Sequence, residues 1–182
     1  MIRKINEILL TDSVFTPDEC DAIIREFKDG PYEPGRISSN QAGGLVRQSQ
    51  VRFVPPTEDQ RWLFTKLAAI AASSNEQTFG FDIGKLEEGF QFTKYESGDH
   101  YSWHADVGDE DERSRRKISI TVQLNDDYEG GELQFFPSRI QAPKRKALVA
   151  VFPSFLVHRV APVLSGTRYS LVAWVAGPHP FK

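Results

Sequence analysis

The chain has 182 residues, 40% of them hydrophobic and 26% charged, with a formal net charge of -3. That is enough apolar material for one domain to bury a core without disulfides or structural metal, and 13 Phe, 5 Tyr and 3 Trp exclude the composition of a disordered chain. The single cysteine, Cys20, cannot form an internal disulfide, no stretch approaches the roughly 20 apolar residues of a membrane helix, and the slight acidity gives no global reason to seek a nucleic-acid backbone. The expectation is a soluble cytoplasmic protein with Cys20 in its core.

Met1 to Leu10 carries Arg3, Lys4, Asn6 and Glu7 among its apolar residues and so lacks a signal-peptide core. Thr16-Pro17-Asp18-Glu19 predicts a helix start, because Thr16 can cap, proline suits the first helical position and Glu19 completes a capping box. The helix runs to about Lys28, with Cys20, Ile23, Ile24 and Phe27 as its apolar stripe and Gly30 as its stop. Pro34 to Gln50 contains Gly35, Gly43, Gly44 and the polar stretch Ser38-Ser39-Asn40-Gln41, which predicts a mobile loop that is either a surface connection or a lid over substrate. A strand at Val51 to Val54 follows. Thr57 and Gln60 repeat the capping-box pattern before Trp62, Leu63, Leu67, Ile70 and Ala71, predicting a second helix that ends near Ser74.

From Phe90 onward the periodicity changes to two. Phe90, Phe92, then Ile118, Ile120, Val122 and Leu124 alternate with polar residues, and Leu133 to Phe136, Leu148 to Phe152, Val157 to Val160 and Tyr169 to Val175 are further β-rich runs. Asn125-Asp126-Asp127, Gly130-Gly131, Pro137-Ser138, Pro153-Ser154 and Ser165-Gly166 separate them as turns. With no helix-length segments between strands, an antiparallel sandwich or barrel is favoured over a parallel sheet. The basic run Arg113 to Lys117 follows Asp109, Glu110, Asp111 and Glu112 and is expected to be a solvated mixed-charge loop. The fold class is therefore mainly β with flanking α-helices, a double-stranded β-helix (jelly roll), in a single domain 1–182. Residues 1–89 are expected to form a helical buttress with the mobile loop, and residues 90–176 the jelly-roll core.

The segment Tyr95-Glu96-Ser97-Gly98-Asp99-His100-Tyr101-Ser102-Trp103-His104-Ala105-Asp106 carries the chemistry. Residues two apart in an extended segment project to the same side, so His104 and Asp106 can present an imidazole and a carboxylate to one metal ion. A second histidine, His158, lies in a later β-rich run that a double sheet can return beside the first pair. Two histidines and one carboxylate on one face of an octahedron leave three positions open, which suits non-haem Fe(II). Arg168, in Gly166-Thr167-Arg168-Tyr169-Ser170, is a cation in an otherwise hydrophobic strand and could grip the far carboxylate of a dicarboxylate bidentately. A zinc site from His100 and His104 is disfavoured, because Gly98 and the flanking aromatics argue against the helix that would align them.

The order Tyr95, His104, Asp106, Gly130-Gly131-Glu132-Leu133, His158, Arg168 and Trp174 resembles the 2-oxoglutarate/Fe(II)-dependent dioxygenase superfamily, and within it the prolyl 4-hydroxylases. The resemblance implies His104, Asp106 and His158 as iron ligands and Arg168 as the anchor of the cosubstrate's distal carboxylate. Tyr95 and Leu133 would line the cosubstrate pocket, Trp174 would stand near cosubstrate and substrate, and Arg116 would touch substrate. Gln123 departs from relatives that place a tyrosine there to help hold the carboxylate, so Thr121 or Ser170 could supply a hydroxyl instead. The implied cofactors are Fe(II), 2-oxoglutarate and O2, with ascorbate as reductant. Decarboxylation of 2-oxoglutarate to succinate would be coupled to hydroxylation of a prolyl residue in a peptide or protein. A free amino acid or other small molecule is the alternative substrate, and a non-catalytic jelly-roll binding domain the alternative class. Nucleic acid is not an expected partner, since the position of that branch's second arginine holds Trp174; nor is a membrane. The sequence does not indicate an oligomeric state.

Overall fold

The computed structural model describes residues 3–5, 7–35, 46–84, 86, 89–108, 111–137 and 140–181. In its first half the chain forms strands β1 (Arg3–Ile5), β2 (Ile8–Thr11), β3 (Glu33–Pro34), β4 (Arg47–Gln48) and β5 (Gln50–Val54), with helices α1 (Pro17–Phe27) and α2 (Arg61–Ser74). The second half gives β6 (Phe90–Tyr95), β7 (His100–His104), β8 (Arg116–Gln123), β9 (Glu129–Gly130), β10 (Leu133–Phe135) and β11 (Ile140–Gln141). It ends with β12 (Val149–Pro153), β13 (His158–Val160), β14 (Val163–Ser165) and β15 (Arg168–Ala176).

Among the described residues these strands make two main sheets, one ordered β1-β2-β12-β8-β15-β6-β5-β3 and the other β11-β10-β13-β7-β4, with β9 and β14 as a separate ribbon. The central pairings β8 with β12, β8 with β15 and β7 with β13 are antiparallel, as expected of a jelly roll. Period-two alternation decides what each face does. On the larger sheet Ile118, Ile120, Val122, Leu171, Ala173 and Val175 join Cys20, Ile23 and Phe27 of α1 and Leu63 and Leu67 of α2 in one buried cluster. The intervening residues Thr121, Arg168, Ser170, Val172 and Trp174 line a cavity between the sheets. Helices thus cover one face of the larger sheet and leave the other for chemistry.

Phe90 and Phe92 are fully buried where β6 meets α1, and each has its ring centroid 5.7 Å from that of Phe27. Burial of each such ring contributes roughly 1.5–3 kcal/mol, which fixes the helix on the sheet that carries the cavity.

The start of α1 follows the sequence expectation in full: Thr16 accepts from Glu19 N at 3.2 Å, and Glu19 Oε2 accepts from Thr16 N at 2.8 Å. Helix α2 does not. It begins at Arg61 with Gln60 as an N-cap that makes no side-chain capping bond, because Gln60 is engaged by Thr57 and donates to Glu26 Oε1 of the neighbouring helix at 2.7 Å. Residues 1–89 also supply more sheet than expected, since β2 pairs with β12 and β5 with β6 in the larger sheet. The Gly43-Gly44 centre of the expected lid lies outside the described residues. Cys20 is fully buried, and no helix among the described residues is long and apolar enough to cross a membrane.

Candidate metal and cosubstrate site

Strands β7 and β13 are neighbours, and their register sets His158 directly opposite His104. Cross-strand pairing therefore brings together two histidines far apart in sequence, with ring centroids 4.3 Å apart. Asp106 stands just beyond the end of β7, where its backbone N–H and that of Val107 donate to Ser154 O at 2.9 and 3.2 Å. Its carboxylate sits between the imidazoles: Oδ1 is 3.6 Å from His104 Nε2, and Oδ2 is 3.6 Å from His158 Nε2. One donor atom from each of the three residues falls within 4.8 Å of the others.

The donor atoms suit a metal. His104 Nδ1 is 2.8 Å from Ser102 O and His158 Nδ1 is 2.9 Å from Leu156 O, so each Nδ1 donates to a carbonyl and each Nε2 is turned toward Asp106. Burial, followed by the neighbouring His104, pushes the His158 pKa down to about 4 against the pull of Asp106. Burial pushes the Asp106 carboxyl up, but His158, His104 and the Ser119 hydroxyl outweigh it and hold the group well below the usual carboxylate range. Two imidazole nitrogens and a carboxylate, once deprotonated, are the donor set that a divalent ion requires. Ser119 Oγ donates to Asp106 Oδ2 at 2.7 Å and lies 3.0 Å from Ser154 Oγ. Phe152 and Phe135 form an apolar wall beside His158, with centroids 4.7 and 6.1 Å from its ring, and Tyr101 stacks on His104 at 3.4 Å.

Arg168, at the start of β15, is 1% exposed. Nη1 donates to Ser170 Oγ at 3.0 Å, whereas Nε and Nη2 are buried with no hydrogen-bond partner among the described residues. A guanidinium held in this way is costly unless an anion joins it, and its two vacant donors match a carboxylate. The Tyr95 ring lies 5.3 Å from the guanidinium carbon. The paired glycines make room for it: Gly131 has φ +65, and a Cβ there would come within 3.1 Å of Arg168 Cδ. A Cβ on Gly130, at φ +71, would meet Pro162 O at 2.3 Å.

Every residue expected at the site lines one cavity: Tyr95, His104, Asp106, Arg116, Thr121, Leu133, His158, Arg168, Ser170 and Trp174. Gln123 is not among its lining residues; it donates to Pro143 O at 2.8 Å and accepts from Tyr128 at 3.3 Å, consistent with its departure from the tyrosine pattern. His100 lies outside the cluster, its Nδ1 turned to Gly98 O at 3.3 Å. The basic run corrects its expectation: Arg113 and Arg116 line the cavity and Lys117 is buried, so the segment is not simply a solvated loop. Arg116 is fixed by the Trp174 ring, 3.8 Å from its guanidinium carbon. Sequence reasoning missed Ser119, Ser154, Tyr101, Arg47 and Arg113. The sign that could have revealed Ser119 is its place with Thr121 on the polar side of an otherwise apolar strand.

A double-stranded β-helix holding a two-histidine, one-carboxylate cluster beside a buried, anion-seeking arginine is the architecture of a non-haem iron oxygenase. Residues 90–176 match the family model described as the 2OG-Fe(II) oxygenase superfamily. A PKHD-type hydroxylase of a Synechococcus strain is 30% identical over 92% of this chain and 77% of its own length; one from Thermosynechococcus vestitus is 29% identical with the same coverage. Among solved structures, a Pseudomonas putida prolyl-4-hydroxylase superposes with TM-score 0.74 at 20% identity, covering 94% of this chain and 92% of that one. A viral collagen prolyl hydroxylase from Paramecium Bursaria Chlorella virus-1 gives 0.72 at 21% identity, covering 94% and 97%. The chain belongs to the 2OG-Fe(II) oxygenase superfamily and is a 2-oxoglutarate-dependent dioxygenase.

Proposed function

We propose that the protein hydroxylates a prolyl residue in a peptide or protein, using Fe(II) held by His104, Asp106 and His158 and 2-oxoglutarate anchored by Arg168. The observation that carries this reading is the pairing, within one cavity, of a compact two-histidine and carboxylate cluster with a buried guanidinium that has two nitrogens without a hydrogen-bond partner among the described residues. The prolyl target is supported by the names of the structural neighbours, among them a Trichoplax adhaerens prolyl hydroxylase solved with a hypoxia inducible factor peptide.

When bound, Fe(II) and 2-oxoglutarate supply an oxidant that inserts one atom of O2 into a C–H bond while the cosubstrate loses CO2 and becomes succinate. The chain's own residues set the conditions. His104, Asp106 and His158 would hold the ion and, as only three protein ligands, would leave coordination positions for cosubstrate and oxygen. Arg168 and the Ser170 hydroxyl fix the distal carboxylate, with Tyr95, Leu133 and Thr121 as the walls that orient it. Trp174 and Arg116 close the cavity on the substrate side, and Phe135 and Phe152 keep water from the His158 edge of the cluster. Ascorbate serves as an external reductant.

Succinate release from 2-oxoglutarate tests this directly, measured with Fe(II) and ascorbate in the presence of proline-rich peptides or of free L-proline. The reading expects peptide-stimulated turnover with a mass gain of one oxygen atom on proline. Stimulation by free proline alone, or oxygen found on another residue type, would contradict the prolyl-peptide assignment.

A further inference from the structure

Two of the three proposed iron ligands refer to one short turn, and that turn is braced from outside the catalytic cavity. Pro153 to Leu156 closes through Leu156 N, which donates to Pro153 O at 2.9 Å. Ser154 O accepts from the backbone N–H of Asp106 and of Val107, and Ser154 Oγ touches the Ser119 hydroxyl that donates to the Asp106 carboxylate. Leu156 O accepts from His158 Nδ1. Asp106 lies beyond the end of β7, so the turn supplies what the strand ladder no longer gives its backbone.

The third residue of the turn is Phe155, at a place where small or polar residues are the ordinary choice. It is 42% exposed, yet its ring is engaged. Phe181, which follows β15, lies 5.1 Å from it at 79°, and Phe81, which follows α2, lies 6.4 Å from it at 67°. Phe81 and Phe181 also meet each other edge to face at 5.2 Å. Phe181 reaches the turn by a second route: its face carries Lys117 Nζ, 3.8 Å from the ring centroid, and Lys117 O accepts from Ser154 N at 3.0 Å. Gly177 lets the chain pass Lys117 on the way, since a Cβ there would come within 2.8 Å of Lys117 Cε.

We propose that Phe181 is a positioning residue for the metal: through Phe155 and Lys117 it fixes the Pro153 to Leu156 turn, and through the turn it orients Asp106 and His158. This rests on the reading of those two residues as iron ligands and adds a remote residue to it. A metal site needs its donors held to within about half an ångström, and the hydrogen bond on a ligand's other atom sets its direction. None of the three rings is among the residues that line the catalytic cavity, so their influence on the ion passes through the turn.

The test compares Phe181→Ala, Phe155→Ala, their double variant and Phe181→Tyr with the full wild-type chain. Ile23→Val, which loosens the buried core at α1, controls for lost stability alone. Co(II) affinity is measured by equilibrium dialysis, the visible Co(II) bands report ligand geometry, and amide hydrogen exchange is followed in the metal-free chain. Each alanine variant should bind Co(II) roughly tenfold more weakly with altered bands, and Phe181→Tyr, which keeps the ring, should recover the wild-type values. The double variant should bind no more weakly than either single one, because both cut the same brace. Without metal, the Asp106 and Val107 amides should exchange faster in Phe181→Ala while those of Ile120 and Leu171 stay protected. Ile23→Val should melt lower and keep the wild-type affinity and bands.

A Phe181→Ala chain that melts lower yet keeps its Co(II) affinity, bands and Asp106 exchange overturns the inference, as does an Ile23→Val chain that loses as much affinity. Binding abolished in His158→Ala and untouched in Phe181→Ala removes this inference alone. A wild-type chain that binds no Co(II) removes the metal-site reading together with it.

Discussion

Ser119 Oγ donates to Asp106 Oδ2 across 2.7 Å, from a buried position on β8 that faces Trp174 in the cross-strand register. The bond occupies one lone pair of the carboxylate and so fixes which way the others point. Replacing Ser119 with alanine should weaken divalent-metal affinity roughly 10- to 100-fold, as loss of an outer partner to a ligating group commonly does. Equilibrium dialysis with Co(II) measures this, and Ser119→Thr should recover most of the loss. If Ser119→Ala binds as tightly as the wild type, the hydroxyl does not position the carboxylate.

The two vacant donors of Arg168 imply a conflict between stability and function. Arg168→Met removes a buried charge and keeps most of the side-chain volume, so the protein without cosubstrate should be as stable or more stable, by roughly 1 kcal/mol or more. The same variant should raise the KM for 2-oxoglutarate at least about 100-fold, because no neutral side chain supplies the fork. Added 2-oxoglutarate should raise the melting temperature of the metal-loaded wild type and leave that of the variant unmoved. A variant that melts lower and keeps its KM would show that the arginine serves the fold.

Glu19 gives the fold a pH dependence remote from the site. Its carboxylate bonds to Lys66 Nζ at 2.6 Å while closing the capping box of α1, and Lys66, ahead of the Thr16 contacts, holds the pKa below the ordinary glutamate value despite opposition from burial. A pKa lowered on folding adds stability above the unfolded value and loses it as pH falls through the lower folded one. Glu19→Gln should therefore melt below the wild type at neutral pH, by about 2 °C for an interaction worth roughly 0.5–1 kcal/mol. The two should converge once the pH is low enough to protonate Glu19 in the folded wild type. A constant gap across that range would assign the effect to packing.

The parts legible in the sequence were those governed by local spacing. The Thr16 capping box, the alternation in β8 and β15, and the His104-x-Asp106 pair each depend on neighbours a few residues away, and the structure places them as the spacing requires. His158 entered through the order of residues shared with a family; its meeting with His104 is a matter of β7 and β13 lying side by side, which no local pattern encodes. The start of α2 was misplaced for a related reason: Gln60 is recruited by Glu26 of another helix, so a tertiary bond overrides a plausible local cap. Arg113 and Ser119 were missed because an arginine in a charged run and a serine in a strand have many ordinary uses. Arg113 is distinguished only by its place on the cavity wall, and Ser119 only by its bond to Asp106.

Metal stoichiometry tests the central claim most directly. Anaerobic titration with Fe(II), followed by the charge-transfer absorbance that develops when 2-oxoglutarate is added, should saturate at one ion per chain in the wild type. It should fail to develop in His104→Ala, Asp106→Ala and His158→Ala variants that retain the wild-type circular dichroism spectrum. Tight stoichiometric binding that survives loss of any one of these three side chains would contradict the account.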